Sequence, residues 1–326
     1  LILLLLYFLV IEKDKNLQSI KQSCSIKRIP HISTLKEIIS IAAPVTMAAM
    51  VWPLQDFLNA TIIPARLQYI GFSISHATEL YGRLTGMALS LVALPSVATI
   101  AMGVNLIPQI ATSVEKKQYY RTIQLTENAI RGGLLIGIPA SVGLFALPAE
   151  ISTLIFKDPS AGVPLRIMAF GATFLCLQQT TSSVLNGLGR ANLPFRNSFI
   201  GALFGIIINY TLTGIPRINI KGAALGIGIG FFITGVLNII DCIRLTKTGF
   251  RLFFVGWRGV VASFSMFLVV QGVNGILLRH TYNCTLSTSC SIFIGIIVYG
   301  LSLIFLGEFD SRELGTLFNI GGFFIR

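Results

Sequence analysis

The sequence predicts an all-α, polytopic membrane helical bundle, and three observations lead to that fold class. Residues of the AVILMFWYC set make up 53% of the 326 residues, and only 12% are Asp, Glu, Lys or Arg. The mean hydropathy is +0.77. Soluble domains carry about 25% charged residues, so this chain could not cover a water-facing surface. The composition excludes a cytosolic enzyme, a secreted disulfide scaffold and a disordered chain.

The third observation is the recurrence of long stretches that contain no charged residue. They are 38–55, 84–114, 132–149, 167–189, 197–216, 222–240, 259–278 and 280–307. A membrane-spanning helix needs about 20 mainly apolar residues. The stretches do not alternate between polar and apolar residues, as the strands of an outer-membrane barrel would. We therefore predict about eight complete transmembrane helices.

The amino-terminal stretch Leu1–Ile11 is apolar but short, and it lacks the flanking features of a signal peptide. We interpret it as the end of a truncated ninth helix. Residues 12–37 are then a linker, 38–308 a carboxy-terminal transmembrane bundle, and 309–326 a tail.

The basic residues predict the orientation of the chain. If 1–11 leads into the cytoplasm and the segments alternate sides, 17 Lys and Arg residues fall inside and 6 fall outside. Loops on the cytoplasmic side of a membrane protein are enriched in these residues. The linker 12–37 is therefore predicted to be cytoplasmic, within a multi-pass protein of the bacterial cytoplasmic membrane. The net charge of +12 requires no nucleic acid partner, and membrane lipids are the expected neighbours.

The sequence lacks the motifs of common catalytic sites. It contains no phosphate-binding loop of the G-x-x-x-x-G-K-[ST] type, no H-E-x-x-H pair and no G-x-S-x-G elbow. Its three histidines and five cysteines follow no zinc-binding spacing. We expect no enzyme, no cofactor and no metal site. Cys284 and Cys290 share the predicted outer loop 280–290, and the sequence does not decide whether they form a disulfide.

Five polar residues in or near the predicted helices are the candidate substrate-binding residues: Asp56, Asn59, Arg66, Glu79 and Arg83. A carboxylate inside a membrane is a candidate functional group by default. Asp56 could equally pair with Arg66 or Arg83 and only fix packing. A guanidinium at the mouth of a cavity suits a phosphate group, whereas an interfacial anchor is the alternative for both arginines.

Pairs of glycines four residues apart indicate close helix contacts. They are Gly82–Gly86, Gly133–Gly137, Gly201–Gly205, Gly222–Gly226 and Gly226–Gly230. We predict a packing role for them, with a hinge role as the alternative.

The stretch 62–118 resembles a known family. It begins I-I-P-A-R-L-Q, continues through A-T-E-L-Y-G-R-L-T-G-M-A, and ends in L-I-P-Q-I followed by A-T-S-V-E-K-K-Q. Further matches are 182–212 and 218–231. These segments resemble the stage V sporulation protein B branch of the polysaccharide exporters, within the multidrug/oligosaccharidyl-lipid/polysaccharide exporter superfamily.

The resemblance implies a fold and a function. The fold is a MATE-like clamshell of two helical bundles, of which this chain would carry the carboxy-terminal half, with the missing amino-terminal half as its partner. The function is flipping of an undecaprenyl-pyrophosphate-linked glycan, a peptidoglycan or polysaccharide precursor, in spore cortex formation. Two alternatives stay open: a cation-coupled multidrug exporter of the same fold, and an inactive truncated remnant.

The predicted orientation can be tested by labelling cysteines in sealed cells. A membrane-impermeant maleimide should not reach Cys24, which lies in the predicted cytoplasmic linker, and should reach cysteines of 280–290 that are unpaired. Labelling of Cys24 from outside would reverse the orientation.

Overall fold

The computed structural model describes residues 31–247, 251–281 and 284–308. The chain forms two compact units, Leu1–Thr46 and Met47–Arg326. The described residues form eleven α-helices and no strand: α1 His31–Tyr69, α2 Ile74–Gly82, α3 Ser90–Ala93, α4 Ser96–Glu115, α5 Tyr119–Ala146, α6 Pro148–Phe156, α7 Gly162–Gly187, α8 Asn192–Thr213, α9 Ile220–Thr246, α10 Arg251–Thr281 and α11 Cys284–Phe305. A π-helical segment, Arg83–Leu89, joins α2 to α3, and a 3₁₀ turn, Pro159–Ala161, precedes α7.

Each of the eight predicted spans is mostly helical among the described residues, although several extend past the end of a helix. Among the described residues, six segments are long and apolar enough to cross a membrane: Ser96–Glu115, Tyr119–Ala146, Pro159–Gly187, Ile220–Thr246, Gly256–Leu278 and Thr285–Phe305. The predicted span 38–55 lies in α1, and most of 197–216 lies in α8. The class of all-α polytopic membrane protein is therefore confirmed. The predicted partial helix 1–11, the linker up to residue 30 and the tail 309–326 lie outside the described residues.

The helices differ from the charge-free stretches in their ends. α1 begins at His31, within the predicted linker, and α5 begins at Tyr119, thirteen residues before its charge-free stretch. A charged side chain ends a hydrophobic stretch but does not end a helix, because the backbone hydrogen bonds continue into the headgroup region. The stretch 84–114 is divided at Pro95, which follows α3 and its capping residue.

The predicted outer loop 280–290 is mostly helical, which corrects the sequence interpretation. α10 ends at Thr281 and α11 begins at Cys284. Hydroxyl groups stay satisfied inside α11, because Ser289 Oγ donates to the Thr285 carbonyl at 2.9 Å and Ser291 Oγ to the Ser287 carbonyl at 2.8 Å. Cys290 is a free thiol within this helix.

Helix α7 lies at the centre of the described bundle. It packs against α4, α5 and α9, and it also contacts α3 and α6. Leu165, Met168 and Ala172 on α7 are fully buried within the main hydrophobic core, where Leu84 of the π-helical segment and Ala224 of α9 join them. The core thus ties the segment around residue 84 to the centre of the fold.

The α8–α9 contact confirms the predicted packing role of two glycine pairs, Gly201–Gly205 and Gly226–Gly230. A Cβ added at Gly205 would lie 3.1 Å from the Gly226 carbonyl oxygen, and one added at Gly230 would lie 3.2 Å from that of Gly201. The two backbones therefore approach too closely for any larger residue without adjustment.

Two further glycine pairs differ in whether they pack against a neighbouring helix. Gly137 on α5 confirms its packing role, since an added Cβ would lie 2.8 Å from Thr173 Cα of α7. For Gly82 and Gly86, a packing role within the described part of the chain is not confirmed, because no atom lies within 4 Å of an added Cβ. Both glycines are exposed on the same face of the α2 region.

Helices α10 and α11 dock on α5 through backbone carbonyls that the helix itself leaves free. Pro139 has no N–H, so the Leu135 carbonyl one turn earlier lacks its helical partner. Tyr299 Oη of α11 donates to that carbonyl at 2.9 Å. Gln271 Nε2 of α10 donates to the Ala146 carbonyl at the end of α5, also at 2.9 Å.

The glycine contact between α8 and α9 yields a stability prediction. Gly226→Ala would bring a methyl group to 2.8 Å from the Gly205 carbonyl oxygen and against the Asn209 amide. We expect it to lower the stability of the folded protein by about 1–3 kcal/mol, the usual cost of overpacking. The thermal unfolding midpoint in detergent measures the effect. Gly143→Ala on α5, which meets no atom within 4 Å, is the control; an equal loss in both variants would contradict the packing role.

Candidate functional site around Arg83

Arg83 lies where α2 changes into the π-helical segment. Its backbone N–H donates to the carbonyls of Glu79 and Leu80, so the α-type bonding of α2 reaches this residue, at which the π-helical segment begins. Short π-helical segments cost regular hydrogen bonding and occur frequently at functional sites. The Arg83 side chain is 22% exposed, so its charged group is largely removed from the surroundings of the protein.

Two carboxylates hold the Arg83 guanidinium. Its Nη2 lies 2.8 Å from Glu79 Oε1, one turn earlier on α2. Its Nε donates to Asp158 Oδ2, also at 2.8 Å, from the segment between α6 and α7. His76 Nδ1 lies 3.2 Å from the other Glu79 oxygen. Among the described residues, the Nη1 of Arg83 has no hydrogen-bond partner.

The local backbone fixes Asp158. Its Oδ1 accepts the Ser160 backbone N–H at 2.9 Å, which caps the 3₁₀ turn Pro159–Ala161. This hydrogen bond, followed by the interaction with Arg83, lowers the pKa of the Asp158 carboxyl below its ordinary value of 3.8, although desolvation opposes the shift. Because the folded-state pKa is lowered, the carboxylate contributes stability above the ordinary pKa. That contribution is lost as the pH falls through the lowered value.

Arg66 lies apart from Arg83, at the contact between α1 and α8. Its Nε donates to the Tyr210 carbonyl at 3.0 Å. Its guanidinium carbon lies 4.4 Å from the centre of the Tyr210 ring and 4.8 Å from that of Tyr69. A planar guanidinium stacks on aromatic rings in this way, which an ammonium group does less well. In the described structure Arg66 therefore connects two helices.

Asn59 is buried on the same side of α1. Its side-chain amide hydrogen-bonds to that of Asn209 on α8 at 2.9 Å. If both amides are turned over, the Asn209 nitrogen donates to the carbonyls of Ala223 and Gly205, at 3.0 and 3.3 Å, and its oxygen accepts from the Asn59 amide. Asn59 and Arg66 therefore share a face of α1, since both contact α8.

Asp56 does not share the hydrogen bonds that Asn59 and Arg66 make to α8. It is exposed, and within the described part of the chain its carboxylate makes no hydrogen bond or ion pair. It lies close enough to Tyr81 to interact with the phenol electrostatically. The packing alternative for Asp56, a pair with Arg66 or Arg83, is not seen, because both arginines have other partners.

The sequence interpretation missed Asp158 and a second polar cluster. Asp158 precedes Pro159 and Ser160, a sequence typical of a capped turn, but nothing in it indicated a partner 75 residues away. The second cluster joins α8 to α9: Asp241 Oδ2 accepts from Arg196 Nη2 at 2.8 Å and from Asn197 Nδ2 at 2.7 Å. Asn238 extends it to Ser182 of α7 at 3.0 Å. Asn197 and Asn238 are fully buried, whereas the Arg196 side chain is 54% exposed, so the cluster extends from the core to the surface.

These observations define a multi-pass α-helical membrane protein with a held guanidinium at one end of a helix. A profile of the family described as Lipid II flippase MurJ matches residues 29–297. The chain therefore belongs to that family, and the resemblance to the lipid-linked glycan exporters is confirmed.

Individual relatives agree with the family assignment. The chain is 30% identical over 205 residues to Stage V sporulation protein B of Bacillus subtilis (strain 168), which covers 63% of this chain and 40% of the relative. It is 21% identical over 248 residues to Lipid II flippase MurJ of the same organism, covering 74% and 44%. The chain thus spans less than half the length of these relatives.

A solved structure shares the fold. The structure titled "Lipid II flippase MurJ, inward closed conformation" superposes with a TM-score of 0.59 at 18% sequence identity. The superposition covers 86% of this chain and 57% of that one.

The Asn59–Asn209 pair generates a coupling prediction. Asn59→Leu and Asn209→Leu should each destabilise the protein, because each leaves one buried amide without its partner. The double variant should be more stable than the sum of the two losses predicts, by about 0.5–2 kcal/mol. Thermal unfolding of the four proteins in detergent measures this difference. Strictly additive losses would mean that the two amides do not interact.

Proposed function

We propose that this chain takes part in moving a pyrophosphate-linked, lipid-anchored glycan across the membrane. Membership in the Lipid II flippase MurJ family supports the proposal. The similarity to Stage V sporulation protein B further supports a role in making the peptidoglycan of the spore. The proposed activity is transport and involves no covalent change to the substrate.

The observation that carries the proposal is the environment of Arg83. Arg83 lies on a helical segment that continues into apolar sequence. Its guanidinium is held by Glu79 and Asp158 and is not extended toward the lipid headgroups. An interfacial anchor would reach freely for the membrane surface. Arg83 instead keeps a fixed position, with Nη1 and one edge of the guanidinium without a described partner. A fixed guanidinium edge is suited to two oxygens of a phosphate group.

The exposed face next to Arg83 supports a path for polar material. Glu79, Gly82, Gly86 and Ser90 follow one another at intervals of three or four residues, and all are exposed. A lipid-facing surface is expected to carry large apolar side chains, and this face carries small and polar ones. A glycan or pyrophosphate could approach the backbone closely at the two glycines.

The other candidate residues receive different roles in this proposal. Glu79 orients Arg83 from its own helix. Asp56, exposed beside Tyr81, would interact with polar groups of the substrate. Arg66 and Asn59 would hold α1 against α8, so that they shape the wall of the path and touch the substrate less than Arg83 does.

Flipping itself is the test. The purified protein is placed in liposomes together with a lipid-linked glycan that carries a fluorescent label on its sugar. If the protein flips the glycan, labelled molecules of the inner leaflet reach the outer leaflet, where an impermeant quencher removes their fluorescence. Protein-free liposomes and liposomes containing the same label on undecaprenol are the controls. Quenching that stays at the protein-free level would contradict the proposed activity for this chain.

Arg83 should contribute directly to binding. Loss of one charge-assisted phosphate contact costs on the order of 2 kcal/mol, so Arg83→Ala should weaken the binding of undecaprenyl pyrophosphate about 30-fold in nanodiscs. Arg83→Lys should fall between wild type and Arg83→Ala, because it keeps the charge and loses the planar fork.

The matched control is Arg166→Ala on α7. Arg166 is exposed, and its guanidinium carbon lies 5.0 Å from the centre of the Phe145 ring. Its removal takes away the same charge but no proposed substrate contact. If Arg83→Ala binds undecaprenyl pyrophosphate as tightly as wild type, Arg83 is an interfacial anchor and does not contact the substrate. If Arg166→Ala loses as much affinity as Arg83→Ala, the loss reflects the change in net charge and not a specific contact.

A further inference from the structure

The Arg83–Asp158 ion pair connects two parts of the fold that are distant in sequence. Arg83 begins the π-helical segment, and Asp158 lies 75 residues later, between α6 and α7. Both side chains are 22% exposed. An ion pair at this degree of burial is screened less than a surface pair, so it can hold a side chain in one orientation.

The segment that carries Asp158 is itself firmly held. Lys157 adopts a left-handed backbone conformation with φ of 58°, which ends α6. Gly162, at the start of α7, packs so closely on α6 that an added Cβ would lie 2.7 Å from Ala149 Cα. The Asp158 carboxylate is oriented by the Ser160 N–H in addition. The acceptor for Arg83 is therefore built on a fixed turn.

The two carboxylates use one side of the guanidinium. Asp158 accepts from Nε and Glu79 from Nη2, so two adjacent donors are directed to two separate acceptors. This arrangement determines the plane of the group. It leaves Nη1 and the second hydrogen of Nη2 for another ligand, since each terminal nitrogen carries two hydrogens.

We propose that Asp158 is a positioning residue, which holds the Arg83 guanidinium so that its Nη1–Nη2 edge is directed at a phosphate group of the substrate. This inference rests on the proposed function. Without Asp158, Arg83 would keep its charge and its Glu79 partner but would rotate among several side-chain conformations. Substrate binding would then have to immobilise the Arg83 side chain, and the entropy lost would weaken binding.

Charge in the cluster is compatible with a bound anion. Glu79 and Asp158 are paired with Arg83, His76 faces Glu79, and Lys157 precedes Asp158 in the sequence. With His76 neutral the cluster is close to electrically balanced. A phosphate on the free edge would meet two donors without displacing either carboxylate. A competing carboxylate, in contrast, would have to leave before the phosphate could bind.

A double-mutant cycle on the binding of undecaprenyl pyrophosphate tests the assignment. Asp158→Asn keeps the shape of the side chain and an oxygen for the Ser160 N–H, and it removes the charge that holds Arg83. It should weaken binding about 2- to 10-fold, the cost of immobilising one long side chain. In an Arg83→Ala background, the same change should have no further effect, because nothing remains to be positioned.

The control variant is Glu150→Gln on α6, which removes a negative charge close in sequence and has no described contact with Arg83. It should bind as wild type. The thermal unfolding midpoints of the ligand-free single and double variants should also be non-additive, which measures the ion pair without any substrate.

The outcomes separate the two proposals. If Arg83→Ala weakens binding while Asp158→Asn does not, or if the two losses add, Asp158 does not position Arg83 and the proposed function stands. Tighter binding in Asp158→Asn would make the carboxylate a competitor and would overturn the inference. If wild type binds undecaprenyl pyrophosphate no better than undecaprenol, the proposed function fails, and the inference fails with it.

Discussion

The absence of water in the hydrocarbon region is the constraint on which the rest of this structure depends. A polar group there must find its partner inside the protein. The pairing of the Asn59 and Asn209 amides and the capping of the free Leu135 carbonyl by Tyr299 are direct consequences. Each such contact joins two helices, so the partners that polar groups require also determine which helices are neighbours.

Close backbone approach makes these contacts possible. Along α8 and α9, glycines bring the two backbones together, and the same interface holds the cluster of Arg196, Asn197 and Asp241. α1 is added to this pair by the Asn59 amide and by stacking of Trp52 on Phe231, whose ring centres are 5.5 Å apart. Small residues and polar pairs therefore act together: the first allow contact, and the second give it a specific register.

The face around Arg83 departs from this rule. Gly82 and Gly86 have no neighbouring atom within 4 Å, although they have the spacing of a packing motif. Asp56 likewise has no hydrogen-bond partner among the described residues. Polar and small groups that are unsatisfied within the described bundle are expected to meet something outside it. The proposed function assigns that role to the substrate.

The sequence by itself determined the class of membrane protein, the approximate positions of its long apolar helices and the family. These follow from composition, periodic spacing and local motifs, which act over a few residues. The tertiary structure decided the partner of each polar side chain: Asp158 for Arg83, Asn209 for Asn59 and Tyr210 for Arg66. It also decided that Gly82 and Gly86 stay open, that residues 284–290 are helical and that α1 begins at His31. The physical reason is that a charge or an amide is compatible with many partners, and only the packing of helices distant in sequence determines which one lies within hydrogen-bond distance.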